Sequence, residues 1–433
     1  MSPSNPSRPA SKIAGIRPLL TAIIPLLPTL AIALLLFVLP LILFGPVSLG
    51  GRSLLPTDNL FTFEPYRSAA ASLGVERPHN GLLSDLILEN YAWKRFIVQA
   101  LRQGQLPLWN PYLFAGAPFL ANGQHSALYP LSAIFYLIPL WRAYGLFTVI
   151  QLGLAGLWAY LFARTLGMGR LGALVTAIAY ELSGFMLARV VFPMIIAGAA
   201  WLPLILAMVE RIVRRRPLAG RPASLPWAVI GAIALGCQVL AGHIEILYYT
   251  LLITAFYAAW RTVDEGAGEG GSARWWVAFV GQRAAWIGLM VGLGLMLGAV
   301  QLLPLYEVVR HNFREGTATL AQVRGWAYPW RRLLAFLVPN FFGNPAHYSY
   351  LDLFSGQVVR RTEPIYWGIK NFVEGGAYLG LLTLFLALLG VRGRRVAPFV
   401  VLALLSLSFI FGTPLYALIY VLPGMRQIHS PFR

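Results

Sequence analysis

The run Leu19–Phe44, LLTAIIPLLPTLAIALLLFVLPLILF, decides the class of fold. It contains no Asp, Glu, Lys or Arg. About 20 apolar residues suffice for one helix to cross the hydrocarbon core of a bilayer. A signal-peptide core is only about 7–15 residues long, and no small-residue cleavage site follows this run. It reads as a first membrane span. The polar, basic tail before it, residues 1–18 with Arg8, Lys12 and Arg17, reads as cytoplasmic.

Working outward, the rest of the chain has the same character. Of 433 residues, 58% are hydrophobic and 12% charged, where a soluble domain carries about 25% charged residues. The mean hydropathy is +0.66. In lipid every spanning backbone group must be bonded internally, which leaves helices or a closed barrel. Barrel strands are alternating segments of about ten residues, whereas these apolar runs are continuous and near helical length. Further spans are predicted at Tyr144–Leu166, Leu171–Leu187, Val191–Val209, Leu225–Ala241, Ile244–Trp260, Ala284–Pro304, Gly376–Val391 and Val396–Tyr420. The expectation is an all-α polytopic membrane protein of about nine transmembrane helices, occupying residues 19–433.

The net charge of +18 orients it. With the N-terminus inside, the short cytoplasmic connections are Arg164–Arg170, Arg211–Arg221, Arg261–Arg283 and Arg392–Arg395, all rich in Arg. Within the third, DEGAGEGG at 264–271 reads as a flexible loop. Nucleic acid is not an indicated partner, because these cations lie in short loops between apolar runs and not on a basic face of a recognisable fold. Two long external loops remain, 45–127 and 305–375. The short piece Leu128–Leu140, interrupted by Pro130 and Pro139, reads as a re-entrant or interfacial helix. The single cysteine, Cys237, lies in an apolar run and reads as a small core residue.

Polar residues in costly places are the candidates for chemistry. The first external loop holds Asp58, Glu64, Glu76, Asp85 and Glu89. Ser84 can cap a helix starting at Asp85, which puts Asp85 and Glu89 on one face. Such a pair suits general-base work or a divalent metal site, or else simply complements the helix dipole. Trp93 and Phe96 make that helix amphipathic, and PLWNP, with Trp109 and Asn110, forms a rigid turn after it. Glu181 falls within a span, as a functional carboxylate or a neutral partner in helix packing. His243 and Glu245, in GHIE, line a wet cavity or form a polar turn at headgroup level. Arg310, His311, Arg314, Arg331 and Arg332 in the second external loop suit a phosphate clamp or attraction to anionic membrane lipids. No P-loop, HExxH, GxSxG or Cys/His metal spacing occurs. No bound cofactor is called for.

The string DLILENYAWKRFIVQALRQGQLPLWNPYLFAGAPFLANGQHSALYPL, with AYELSGFMLAR, AAWLPLILAMVER and LAGHIEILYYT, resembles bacterial YfhO-type membrane proteins of the GT-C glycosyltransferase-like group. That resemblance covers most of the chain from Asp85 onward. It implies a GT-C-like domain in the bacterial inner membrane. It further implies sugar transfer on the outer face from a polyprenyl-phosphate-linked donor to a cell-envelope acceptor. Asp85 matches the family's catalytic acidic residue in the first external loop. Glu89 departs from a position where Gln is common, and Asp58 is a second candidate acid. The ending IHSPFR is similar to a segment that precedes further spans in that family, so the chain is expected to continue past Arg433. Transport of a lipid-linked glycan, or a non-catalytic assembly role, are the alternatives. Transport predicts internal repeats and charges distributed through the spans.

Overall fold

The computed structural model describes residues 27–75, 80–218, 220–311, 318–368 and 371–427. Glu76, Arg314, the N-terminal tail, the start of the first predicted span and the IHSPFR ending lie outside the described residues. Helices of eight residues or more are numbered here: α1 Leu27–Leu43, α2 Tyr91–Arg102, α3 Leu140–Thr165, α4 Arg170–Glu181, α5 Pro193–Ala200, α6 Leu202–Val213, α7 Ser224–Leu240, α8 Ile244–Glu269, α9 Ala273–Leu297, α10 Ala299–Arg310, α11 Leu381–Gly390 and α12 Ala397–Ile410. The strands are short, two or three residues each, in four antiparallel pairs.

The chain is thus mostly helical. Among the described residues, four helical stretches are long and apolar enough to cross a membrane: Leu140–Thr165, Arg170–Val191, Pro193–Val213 and Ala273–Leu297. A fifth is reached if Ala397–Ile410 and Pro414–Tyr420 count as one. Each predicted span contains helix, but several differ in form. α11 has 10 residues, about 15 Å of rise and half a hydrocarbon core. The predicted straight run Val396–Tyr420 bends by 99° where Gly412–Thr413 interrupts it. The predicted span Ala284–Pro304 is two helices, α9 and α10, broken at Gly298.

The predicted loop at 264–271 is largely helix, because α8 continues to Glu269. The cause is a charge network. Glu210 on α6 accepts Arg261 Nε at 2.9 Å and Nη2 at 3.0 Å, Tyr257 Oη at 2.8 Å and Arg214 Nε at 2.6 Å. Asp264 pairs with Arg261, and Glu265 lies 3.6 Å from it. Acids that would otherwise favour a loop are thereby held on the helix.

Two ends of the bundle follow from the packing. α3 and α4 run antiparallel, with Glu181 against Gly156, while α7 and α9 run parallel, with Gly231 against Met290 and Gly298 against Val239. α5–α6 and α8 both run from the Phe192 and His243 end towards Glu210 and Arg261. Those ends are roughly 25 Å apart at 1.5 Å per residue. One end gathers Arg164, Arg170, Arg211, Arg214 and Arg261, and the other gathers Asp85, Glu89 and His243. The core between them is a cluster from α6, α7, α8 and α9, including Ile205, Val209, Leu235, Tyr257 and Met290.

Candidate functional site

Ser84 is itself helical, entered from a 3-10 turn at Gly81–Leu83, so it is not the cap expected from the sequence. A π-helical turn over Leu86–Asn90 then precedes α2. Such wide turns are frequent at functional sites. Asp85 and Glu89 stay on one side of it and both line a cavity of about 240 Å³. Burial, and then the nearby charge of Asp85, raise the Glu89 carboxyl above its ordinary range. Asn90 is buried and accepts a hydrogen bond from Tyr144 Oη at 2.9 Å, tying this turn to α3.

The opposite wall comes from distant segments. Phe192–Ile195, at the start of α5, line it, with Arg189, Asn371, Glu374, Gln124 and His243. Arg189 is 2% exposed, stacks 4.1 Å from the Phe185 ring centroid, and donates through Nη2 to the Glu374 carbonyl at 2.6 Å. Gly184 donates to the Tyr378 carbonyl at 2.7 Å, so the 371–378 segment is docked on the turn that carries Arg189. His243 is the N-cap of α8. Its Nδ1 accepts from the Ile246 amide at 3.3 Å, which leaves the proton of the neutral ring on Nε2.

The loop beneath His243 is held by two glycines. Gly123 has φ +73° and Gly242 φ +88°, and a Cβ on Gly242 would overlap the Gly123 carbonyl. Both positions therefore require glycine. Ser126 Oγ donates to the Ala241 carbonyl at 2.7 Å, closing the same junction. Lys94, on the protein-facing side of α2, reaches under this loop. Its Nζ donates to the His125 carbonyl at 2.7 Å and Ser132 Oγ at 3.3 Å, and lies 4.5 Å from the Phe135 centroid. Burial lowers Lys94 to about 7 and His125 to about 4. His125 is stacked on Phe119 at 4.3 Å, with Nε2 on the Phe119 carbonyl and Nδ1 on the Ala127 amide. Both ring nitrogens are engaged, which makes it a packing residue.

Of the residues proposed from sequence, Asp85, Glu89 and His243 come together. The others do not reach this cavity. Asp58 sits on the 3-10 turn Thr57–Thr62. Trp109 is 55% exposed, and Asn110 caps its own turn by accepting from the Tyr112 amide at 2.9 Å. Glu245 accepts from Tyr249 Oη at 3.1 Å. Glu181 is buried between α4 and α3. The expected cation clamp is dispersed: Arg310 and His311 are exposed at the end of α10, Arg331 is exposed, and Arg332 is buried in a different cavity. Chain order explains the dispersal, since 310 and 332 belong to separate short helices. Sequence reasoning missed Arg189, yet the signal was present: it is the one basic residue between Arg170 and Arg211. Asn371 and Glu374 gave no such signal.

Two carboxylates, an imidazole donor and a guanidinium at one cavity can accept a proton and stabilise an anion. Among the described residues, no group of three or more His, Cys, Asp or Glu side chains is placed to hold a metal ion. No protein-family model, no curated protein and no solved structure matches the chain.

Proposed function

We propose that the chain is a membrane glycosyltransferase of GT-C type, with about nine spans, in the bacterial inner membrane with its N-terminus cytoplasmic. It transfers a sugar from a polyprenyl-phosphate-linked donor to a cell-envelope acceptor on the outer face. One observation carries this reading: Asp85, Glu89, His243 and Arg189 line a single cavity. A carboxylate, Asp85 by the family resemblance, removes the acceptor hydroxyl proton. The acceptor oxygen bonds to the sugar's anomeric carbon as the bond to the lipid phosphate breaks. Arg189 offsets the charge on the departing phosphate. Clustering of Arg at the end remote from this cavity supports the orientation.

The test uses the full chain in liposomes with polyprenyl-phosphate-linked hexoses, measuring release of polyprenyl phosphate. Asp85→Asn is expected to lower the rate by about 10²–10⁴-fold. Unchanged release would refute the catalytic assignment. A second reading, transport of a lipid-linked glycan, draws on the buried carboxyl of Glu181. Loss of translocation in Glu181→Gln with transfer intact would favour it.

A further inference from the structure

A second cavity, of about 310 Å³, lies behind the 371–378 segment. Gly375 and Gly376 line it, whereas Glu374 lines the Asp85 cavity, so the two share one wall. The volume matches about ten waters. Its lining is apolar for the most part: Leu187, Ala335, Pro339, Phe342 and Phe372 contribute, together with Tyr366.

Arg332 is the charged residue in this lining, and it is 3% exposed. Nη1 donates to Tyr366 Oη at 3.0 Å. The guanidinium carbon lies 5.1 Å from the Tyr328 centroid, 5.1 Å from Phe342 and 5.9 Å from Tyr366. Nε is buried and has no hydrogen-bond partner among the described residues, and no described carboxylate pairs with the group. Ring faces attract a cation only modestly, while burying an unpaired ion is costly. Three rings and one phenol hold the guanidinium in place but leave its fork without an anion. A tetrahedral oxyanion would satisfy that fork, and the remaining walls suit hydrocarbon.

We propose that this cavity binds an amphiphile with a single phosphate-class head on Arg332 and an apolar chain along Leu187, Phe342 and Phe372. The inference rests on this cavity alone and stands or falls independently of sugar transfer.

The test is binding to the purified full chain in maltoside detergent, read as the shift in thermal unfolding temperature. The probes are decyl phosphate, decanol and inorganic phosphate. Decyl phosphate is expected to give a saturable rise, with affinity at least tenfold above either decanol or inorganic phosphate. Arg332→Gln should lower that affinity at least tenfold. If Arg332→Gln does not fold, Arg332→Lys serves: it keeps the charge among the rings but lacks the fork, and a loss of at least fivefold is expected. Binding unchanged in the variant that folds, or decanol as tight as decyl phosphate, would overturn the site. Inorganic phosphate as tight as decyl phosphate would keep the anion site and overturn the amphiphile.

Discussion

Glu210 and Glu181 are the same side chain at the same burial, each 0% exposed, on helices of one bundle. Glu210 accepts from two arginines and a tyrosine. Glu181 has neither oxygen in a hydrogen bond among the described residues, and rests against the bare backbone of Gly156 on α3. The difference teaches that depth alone does not make a carboxylate structural. Partners do, and at Glu210 two of them come from α8, one turn apart at Tyr257 and Arg261, while Arg214 closes the end of α6. Glu210 fastens two helices by charge. Glu181 is fastened to no other helix by charge among the described residues.

The sharpest way to break this contrast is Glu210→Ala. It takes the acceptor away from buried Arg261 and half-buried Arg214, which keep only Asp264 and Glu265 nearby, and the expected loss is about 3 kcal/mol in thermal or denaturant unfolding, the low end for a broken buried pair. A loss below about 1 kcal/mol, the range of exposed ion pairs, would mean that the network is solvated and the contrast false.

Next in size is Gly156→Ala, where the new methyl overlaps Glu181 Oε2. Overpacking is expected to cost about 1–3 kcal/mol, against a helix-propensity gain of about 1 kcal/mol. In a Glu181→Ala background the same change should become stabilising. A double-mutant cycle measures this sign change, and additive effects would place the carboxyl elsewhere.

Lys94 supplies an effect spread over several pH units and an intermediate case, a buried cation held by neutral acceptors. Its folded value of about 7 lies below the ordinary 10.5. Between these values the unfolded chain holds the proton and the folded chain does not. Stability should therefore rise with pH from about 7 towards 10 and gain nothing from this group below 7, with a slope on the order of 1 kcal/mol per pH unit. Lys94→Met should flatten that rise relative to wild type across pH 7–9.5. Parallel curves would show that the ammonium is solvated.

The helices were the legible part. Their apolar runs exceed any local ambiguity, and the arginines of Arg164–Arg170 and Arg211–Arg216 mark one end of the bundle. Lengths were less legible, because capping and charge pairing reset them: α8 runs on through DEGAGE since Arg261 and Arg214 hold its acids. At the site, Asp85, Glu89 and His243 were readable as polar residues in costly positions. Arg332 reads from the sequence as one of a cluster of cations, and only folding shows that Tyr328, Phe342 and Tyr366 enclose it apart from the others. Asn371 and Glu374 could not be singled out at all, because a surface turn and a cavity wall look alike in one dimension.

The contact between Gly123 and Gly242 has a consequence for descent. At one edge of the Asp85 cavity the first long loop and the α7–α8 turn meet with no room for a methyl group on Gly242. A lineage can vary the hairpin around Trp109 or lengthen the turn after Arg216 without touching this junction. It cannot change Gly242 and keep His243 where it is, and the left-handed φ of Gly123 makes any other residue there strained. The two loops form one mechanical unit at this point, however far apart they lie in the sequence.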